Sequence, residues 1–517
     1  MHTVSTAKST FVLCLIGLTG GLISSMAYPD NAIWIAIFPS TAIMLYAITS
    51  ARFRDSWIVG LVTGFTFYAS QIPWMTVYLG PVPWLALSIL EGCIFAIGAL
   101  AINASWTFSR RYLPASPLLA AIAIASLWVA REWVACNFPY GGFPWSRLAL
   151  SQSNSPLANW VFWGGDSLLS FVIVFMVALA MLTWSNKLKP SNWGTSPVAA
   201  VLALLCLIPL MTVTNASAEN GQIKVAAVQG NANAGLFANP RPGSILENHL
   251  KASKSLLTKP DKPDLVIWPE NAADQNPLSN PSAKATVSRF VDSIGAPLML
   301  GTITSRGDDI YNSSVLWKPN VGAVDWYDKK RPVAFGEFVP DREFFHLLAP
   351  DLIDLIPRGY SFGTRDGIFN IETQPNAKVS VGTMICFEVA VDDITRDLVG
   401  QGAELLVVQT NNSDFGTTNE SAQQLAIAKL RAIESGRAVV NISTVGLSAI
   451  VLPTGEVVSS LPSYQPGLMQ EILPLRSSLT PAMTFGGYLE IVNNFAAIGQ
   501  LLLIYWIAKR KRKASAQ

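Results

Sequence analysis

Residues 378–388 read KVSVGTMICFE: five residues of mostly apolar strand, Val381 to Ile385, run directly into Cys386 and a carboxylate two residues beyond it. Three other segments have the same form. DLVIWPE (264–270) is an apolar run closed by Glu270, ELLVVQTNN (404–412) ends on Asn411 and Asn412, and IKVAAVQG (223–230) ends on a glycine. LMLGTIT (298–304), YNSSVLW (311–317) and GAVDWYDK (322–329) add further strands, and VVNIST, SAIVLP and EVVSSL follow around a PTG turn. Between them lie helical patterns, amphipathic at Ile245–Leu257, then Val389–Val399 and Glu420–Ser435. Strands alternating with helices predict a layered α/β domain, with polar groups collected just past strand ends, where α/β folds bind ligands.

Outward from this stretch the composition changes. Of 517 residues, 50% are hydrophobic and only 14% charged, against roughly 25% in an average soluble domain. Most Asp, Glu and Lys fall between about Gly221 and Pro474. A bilayer core of about 30 Å needs about 20 apolar residues in a helix. Seven such stretches precede the α/β region, at about 10–28, 31–50, 56–79, 82–107, 115–134, 167–184 and 195–214, and an eighth follows at 488–508. The first also resembles a signal peptide, with Lys8 before it and Ser25-Met26-Ala27 after, but another span follows at once, so an uncleaved helix is expected. Lys and Arg stay on the cytoplasmic side of membranes. With an inside N-terminus, the inside connections carry Lys8, Arg52 and Arg54, Arg110 and Arg111, Lys187 and Lys189, and the tail 509–513. The outside connections near 29–31 and 80–83 carry none, and Arg131 and Arg147 are the exceptions. This alternation puts the α/β region outside the cytoplasm and both termini inside. Residues 137–165, rich in Pro, Gly and Trp, are too broken for a span and too apolar for a solvated loop; a re-entrant or interfacial arm is expected there.

Several classes are excluded. A formal charge of +2 without a basic face gives no footprint for nucleic acid. The cysteines are Cys14, Cys93, Cys136, Cys206 and Cys386, the histidines His2, His249 and His346; no pair has metal-ligand spacing, so neither metal nor cofactor is expected. A transporter would show internal repeats and midplane charges, but no repeat is found and Glu91, Arg131 and Glu132 are the few ionisable residues within spans.

Three residues carry candidate chemistry. Cys386 at a strand-to-helix turn is sharply presented, and a nearby helix N-terminus would favour its thiolate; the same context also fits a buried, inert thiol. Glu270 at the end of an apolar strand would be desolvated and its pKa raised, which suits a base for a thiol, although a loop carboxylate is the plainer reading. Lys329, before Arg331-Pro332-Val333-Ala334-Phe335-Gly336-Glu337, would stabilise an oxyanion, unless it belongs to a solvated turn. Glu337, in an aromatic segment, calls for a buried partner such as the lysine.

In order, WPE, then YDKK…FGEFVP, then ICFE resembles the nitrilase superfamily with its Glu–Lys–Cys triad. With helices on both sides, with the FPW of Phe143–Trp145, Ser151-Gln152 and Pro156-Leu157, and with Gln423–Val440, nearly the whole chain resembles the apolipoprotein N-acyltransferase family. The resemblance implies an α-helical membrane domain of eight transmembrane helices with an α/β nitrilase-like αββα sandwich: residues 1–220 as the first seven helices with the arm at 137–165, 221–475 as an extracytoplasmic catalytic domain, 476–517 as the last helix and a basic cytoplasmic tail. It implies a multi-pass protein of the bacterial cytoplasmic (inner) membrane. Glu270 is then the general base, Lys329 the oxyanion stabiliser and Cys386 the nucleophile, with Glu337 and Glu388 supporting; Phe335, Phe338, Phe387, Asn411 and Asn412 are expected to line the substrate. The implied partners are the bilayer, a phospholipid acyl donor and a diacylglyceryl-modified apolipoprotein acceptor. The alternative is a membrane-tethered amidase or nitrilase with water as acceptor. The chain departs from the family pattern at Phe387, where Tyr is common, at Ala238, where Trp is common, and at Asp414-Phe415-Gly416, where Trp-Phe-Gly is common. An aromatic segment, Phe335–Leu352, would serve as a lid over the thioester or as plain domain packing.

Overall fold

The computed structural model describes residues 8–113, 116–185, 197–212, 214–233, 241–258, 261–356, 359–373 and 377–514. The chain divides into two compact units: residues 1–76, 80–213 and 484–517 form one, and residues 77–79 with 214–483 form the other.

The first unit is helical. Its helices are α1 (Thr10–Ser24), α2 (Ile37–Ser50), α3 (Ser56–Gln71), α4 (Met75–Leu79, whose last three residues cluster with the second unit), α5 (Pro81–Tyr112), α6 (Pro117–Asn137), α7 (Val161–Ser185) and α8 (Pro197–Met211). The last helix of the chain completes it after the α/β region. All eight expected apolar stretches contain helix, but the count of eight full-length spans is not what the lengths give. Among the described residues five helices are long and apolar enough to cross a membrane: 10–27, 81–112, 117–137, 156–184 and 481–511. Two further apolar helices, 34–50 and 198–211, are shorter. The third expected span, 56–79, breaks at Ile72-Pro73, because proline cannot continue the hydrogen-bond ladder. That leaves α3 with 16 residues, about 24 Å at 1.5 Å per residue.

Arg131 and Arg147, the two exceptions to the charge alternation, are not solvated: Arg131 lies on α6, and Arg147 lies in the connection between α6 and α7. Both are buried within this unit. Arg131 donates to the Tyr68 hydroxyl at 2.8 Å and stacks over the Phe95 and Trp128 rings. Arg147 lies 3.7 Å from Asp166 and donates to Ser167. By contrast Lys8, Arg52, Arg54, Arg110 and Arg111 are exposed; Lys187 and Lys189 lie outside the described residues, as does Ala238. The broken stretch 137–165 folds into two short 3-10 turns, Leu148–Gln152 and Pro156–Trp160, and Trp145, Leu148 and Gln152 are buried within the unit.

The second unit contains two six-stranded sheets. Its elements in chain order are β1 (Gln222–Gln229), α9 (Ser244–Ala252), α10 (Ser255–Thr258), β2 (Leu265–Ile267), α11 (Pro281–Ile294), β3 (Leu298–Arg306), β4 (Asp309–Lys318), β5 (Gly322–Asp328), α12 (Arg342–Leu348), α13 (Pro350–Ile353), β6 (Ile368–Thr373), β7 (Ala377–Ile385), α14 (Asp392–Gly400), β8 (Leu405–Thr410), α15 (Glu420–Ser435), β9 (Ala438–Ser443), β10 (Ser448–Val451), β11 (Val457–Leu461) and β12 (Gly467–Pro474); α16 (Pro481–Ala514) returns to the helical unit. One sheet has the order β12-β1-β2-β3-β4-β5, the other β11-β10-β9-β8-β7-β6. The strands β1, β2 and β3 run parallel, as do β7, β8 and β9.

Period-two alternation explains the layers. Val225 and Ala227 of β1 join Leu265, Ile267, Phe369, Val381, Leu405 and Val407 in a core made by both sheets. Ala226 and Val228 face the other way, into a second core with Val287, Phe290 and Val291 of α11. Strands buried on both faces read as continuous apolar runs, which is why DLVIW and ELLVV show no alternation. Sheet packed on sheet with helices outside gives the four-layer αββα arrangement. Phe369 is buried in the inter-sheet core. Phe369→Ala is expected to cost about 3–5 kcal/mol, read as a lowered thermal midpoint of the detergent-solubilised protein; an unchanged midpoint would mean that the two sheets do not share this core.

Candidate active site

The strand ends carry the site because the chain turns sharply there. Asn271 after β2, Cys386 after β7 and Asn412 after β8 all have positive φ, at 54°, 53° and 58°. Non-glycine residues adopt this conformation seldom, and it clusters at functional turns. At β2 the turn is made possible by its neighbour. A Cβ on Gly301 of β3 would lie 2.4 Å from the Pro269 carbonyl, and the Gly301 amide donates to that carbonyl at 3.1 Å. Glu270 is thereby laid across β3, and the Thr444 hydroxyl holds its carbonyl at 2.9 Å.

Glu270 and Lys329 are buried, at 4% and 1% exposure. The Lys329 ammonium lies 2.7 Å from a Glu337 carboxylate oxygen and 3.9 Å from Glu270. Asn312 of β4 joins the two acids: its amide nitrogen donates to Glu270 at 2.6 Å and to Glu337 at 2.9 Å. Burial pushes the Glu270 carboxyl up to about 7; Lys329 pulls it down and Glu337 pushes it up again. Burial alone would lower the Lys329 ammonium, but Glu337 and Glu270 hold it well above its ordinary value.

Cys386 opens a 3-10 turn, Cys386–Ala390, and α14 begins only at Asp392. The expected helix at Val389–Val399 therefore starts too late to favour the thiolate. The thiol is pushed well up, by burial first and by the Glu270 charge next, against the pull of Lys329. That direction favours the thiol, and the helix terminus expected to favour the thiolate is replaced by a 3-10 turn. Gln424 of α15 points its amide nitrogen at the sulfur, at 3.5 Å.

Glu388 ties the cysteine strand to the lysine strand. One oxygen accepts from the Ile385 amide at 2.8 Å. The other accepts from the amides of Lys330 and Arg331, at 2.7 and 3.1 Å, and from the Tyr327 hydroxyl at 2.8 Å. One buried carboxylate thus fixes the ends of β5 and β7 side by side. Glu337 does the same locally, accepting from the Val333 amide at 2.8 Å.

The remaining expected site residues separate into groups. Phe335 packs edge-on against Phe345, and Phe338 against Phe362. Phe387 is partly buried next to Cys386. Asn412 faces inward and bonds Thr410, Ser443, Glu420 and Gln424. The Asn411 carbonyl lies 3.1 Å from the Ser443 hydroxyl oxygen, whose proton goes to Asn412 at 2.6 Å. In the expected lid, Phe344, Leu347 and Leu348 of α12 are exposed, Leu347 by 83%. Tyr78 of α4 donates to the Gly336 carbonyl at 2.9 Å and packs near Phe415. Three residues here escape sequence reasoning: Asn312, Glu420 and Gln424. Asn312 left a signal, the polar NSS of a strand that is otherwise apolar.

Chemically, the arrangement offers a thiol, a desolvated carboxylate that titrates near neutrality and a fixed ammonium. That set can make and break an acyl-thioester.

Comparison with known proteins fits both units. Residues 20–179 match the apolipoprotein N-acyltransferase N-terminal domain, and residues 224–476 match the carbon-nitrogen hydrolase family. The apolipoprotein N-acyltransferase of Mycolicibacterium smegmatis is 32% identical over 94% of this chain and 84% of its own length. That of Pseudomonas syringae pv. tomato is 27% identical over 95% of this chain and 96% of its own. Similarity that runs through both the helical unit and the α/β unit, at this level of identity, places the chain in the apolipoprotein N-acyltransferase family.

Proposed function

We propose that this enzyme N-acylates lipoproteins by way of an acyl-thioester on Cys386. Family membership makes it a membrane acyltransferase acting on lipoproteins; the donor, the acceptor atom and the residue roles are the reading offered here. The observation that carries it is the convergence of Cys386, Glu270 and Lys329 at buried strand ends, in electrostatic reach of one another.

In the first half-reaction Glu270 takes the Cys386 proton as the sulfur bonds to an ester carbonyl carbon of a membrane phospholipid. The carbonyl oxygen becomes an oxyanion facing the Lys329 ammonium. Collapse breaks the ester C–O bond, and the leaving alkoxide takes the proton from Glu270 and departs as a lysophospholipid. In the second, the α-amine of an N-terminal diacylglyceryl-cysteine attacks the thioester carbonyl. Its proton passes to Glu270, the C–S bond breaks, and the sulfur recovers the proton. Because the resting thiol titrates far above Glu270, proton removal is coupled to sulfur–carbon bond formation rather than preceding it.

Water as acceptor, the amidase reading, is not favoured by the family. The exposed Phe344, Leu347 and Leu348 support α12 as a lid meeting the outer leaflet, where both lipid substrates reside. The charge pattern supports eight spans, with three helices shorter than the standard length, and it supports an α/β unit on the extracytoplasmic side of a bacterial cytoplasmic membrane with both termini inside. The burial of Arg131 and Arg147 removes its two exceptions. At the last helix, Arg510 stacks on Trp506 and Lys509 lies over Tyr505, as at a membrane interface. The expected domain boundaries at 220 and 475 belong to the same reading.

Cys386→Ala is expected to insert normally and to form no acyl adduct with phospholipid vesicles. Intact-protein mass spectrometry reads this directly, and a long-chain adduct on the variant would refute the nucleophile. Adduct formation should rise with pH through about 7, since Glu270 accepts a proton only when ionised; a rate independent of pH from 5 to 8.5 would remove Glu270 from the base role. Asn312→Leu removes the donor shared by two carboxylates. Hydrogen bonds to charged groups contribute about 1.5–3 kcal/mol, so the acylation rate should fall by roughly tenfold to a hundredfold, with the pH limb displaced upward. Wild-type acylation in this variant would show that the bridge is dispensable.

A further inference from the structure

The Gln424 amide donates a hydrogen bond to the Cys386 sulfur, at 3.5 Å. Which end of that amide faces the sulfur is decided elsewhere. The Gln424 carbonyl accepts from the Asn412 amide nitrogen at 2.8 Å, and the other N–H of that nitrogen goes to Glu420 at 2.7 Å. The Asn412 carbonyl accepts from the hydroxyls of Thr410 and Ser443, at 2.8 and 2.6 Å. All of Asn412's donors and acceptors are therefore used, in one sense only. Turning it over would set its oxygen against the Glu420 carboxylate and the Gln424 carbonyl, neither of which can donate. Glu420, Asn412 and Gln424 are all buried, so no solvent repairs a wrong orientation, and an unmet buried polar group is costly.

We propose that Glu420 is a positioning residue that acts through Asn412 and Gln424 to keep an N–H, rather than a carbonyl oxygen, aimed at the Cys386 sulfur. The inference rests on Cys386 being the nucleophile. The N–H favours negative charge on the sulfur as the thiol proton leaves, while a carbonyl oxygen in its place would oppose it. The relay is firmest with Glu420 ionised, since a carboxylate can only accept. Burial pushes that carboxyl up to about 8, and either protonation state offers Asn412 a lone pair. The need for such a device is visible in the site itself. Burial, Glu270, Glu420 and Glu337 all oppose the thiolate, and Lys329 alone among the charged neighbours favours it.

The test uses the full-length enzyme in detergent or nanodiscs with phospholipid vesicles. The rate of adduct formation is followed by mass, and the pH profile of Cys386 alkylation by iodoacetamide is followed in parallel. Gln424→Met and Glu420→Met keep side-chain length and lose the relay; Glu420→Gln keeps an acceptor for Asn412. Gln424→Met is expected to acylate about tenfold more slowly and to move the alkylation profile to higher pH. Glu420→Met should follow it, Glu420→Gln should stay within about twofold of wild type, and the double Met variant should be no slower than Gln424→Met alone. An unchanged alkylation profile in Gln424→Met overturns the relay, as does a double variant whose loss equals the product of the single losses. If Glu420→Met does not fold, the Gln424→Met profile and the Glu420→Gln rescue decide the question. Absence of an adduct on wild-type Cys386 would instead overturn the nucleophile reading, so the two failures are distinct.

Discussion

A lysine ammonium at 1% exposure is stable only where negative charge and hydrogen-bond acceptors meet it. Lys329 finds two carboxylates, Glu337 at 2.7 Å and Glu270 at 3.9 Å. The cluster holds two acids for one base, and that imbalance sets its chemistry. Glu337, the closer partner, satisfies the lysine. Glu270 is left with a weaker share of the cation, the repulsion of Glu337 and full burial, so its carboxyl titrates near neutrality. Much of the α/β unit serves to hold this triangle closed. Asn312 bridges the acids from β4, Glu388 ties the ends of β5 and β7 together, and Thr444 holds the Glu270 backbone from the other sheet.

The inter-sheet contacts at this end of the sandwich are polar for the same reason. The Gln409 amide of β8 donates to the Trp268 carbonyl of β2 at 2.6 Å, and Ser448 of β10 donates to Gln229 of β1 at 2.5 Å. Apolar contacts such as those around Phe369 resist sliding only through shape, whereas hydrogen bonds are also directional. Directional bonds at the strand ends restrict that sliding further, as a fixed site requires.

How much of this was legible in the sequence depends on whether the information is local. Glu270 and Cys386 stand out because each closes an apolar run, and a strand end is visible in one dimension. Lys329 needed the order of motifs along the chain. Asn312, Gln424 and Glu420 were missed because their meaning lies in a partner on another element; a glutamine on α15 looks like any helix-surface residue until β7 is placed against it. The helical unit shows the same division. Where the apolar stretches lie was readable, whereas their helical lengths were not, since a proline at position 73 ends α3 early and Arg131 and Arg147 turn inward to partners far along the chain. The helix N-terminus expected beside Cys386 failed for a local reason: Cys386 takes positive φ, and the next turn is 3-10 rather than α.

That failure changes the chemistry in a specific way. A thiolate stabilised by a helix terminus would be a standing nucleophile, open to oxidants and to any electrophile that reached it. A partly buried thiol beside a carboxylate that titrates near neutrality carries no standing charge on the sulfur, and in the proposed mechanism it becomes nucleophilic only when a carbonyl carbon is in bonding range and Glu270 takes the proton in the same event. The same logic governs the second half-reaction proposed above, where an amine would surrender its proton to Glu270 as it attacks. The raised pKa that suits Glu270 to this coupling follows from placing a carboxylate at the end of a strand that has no polar face.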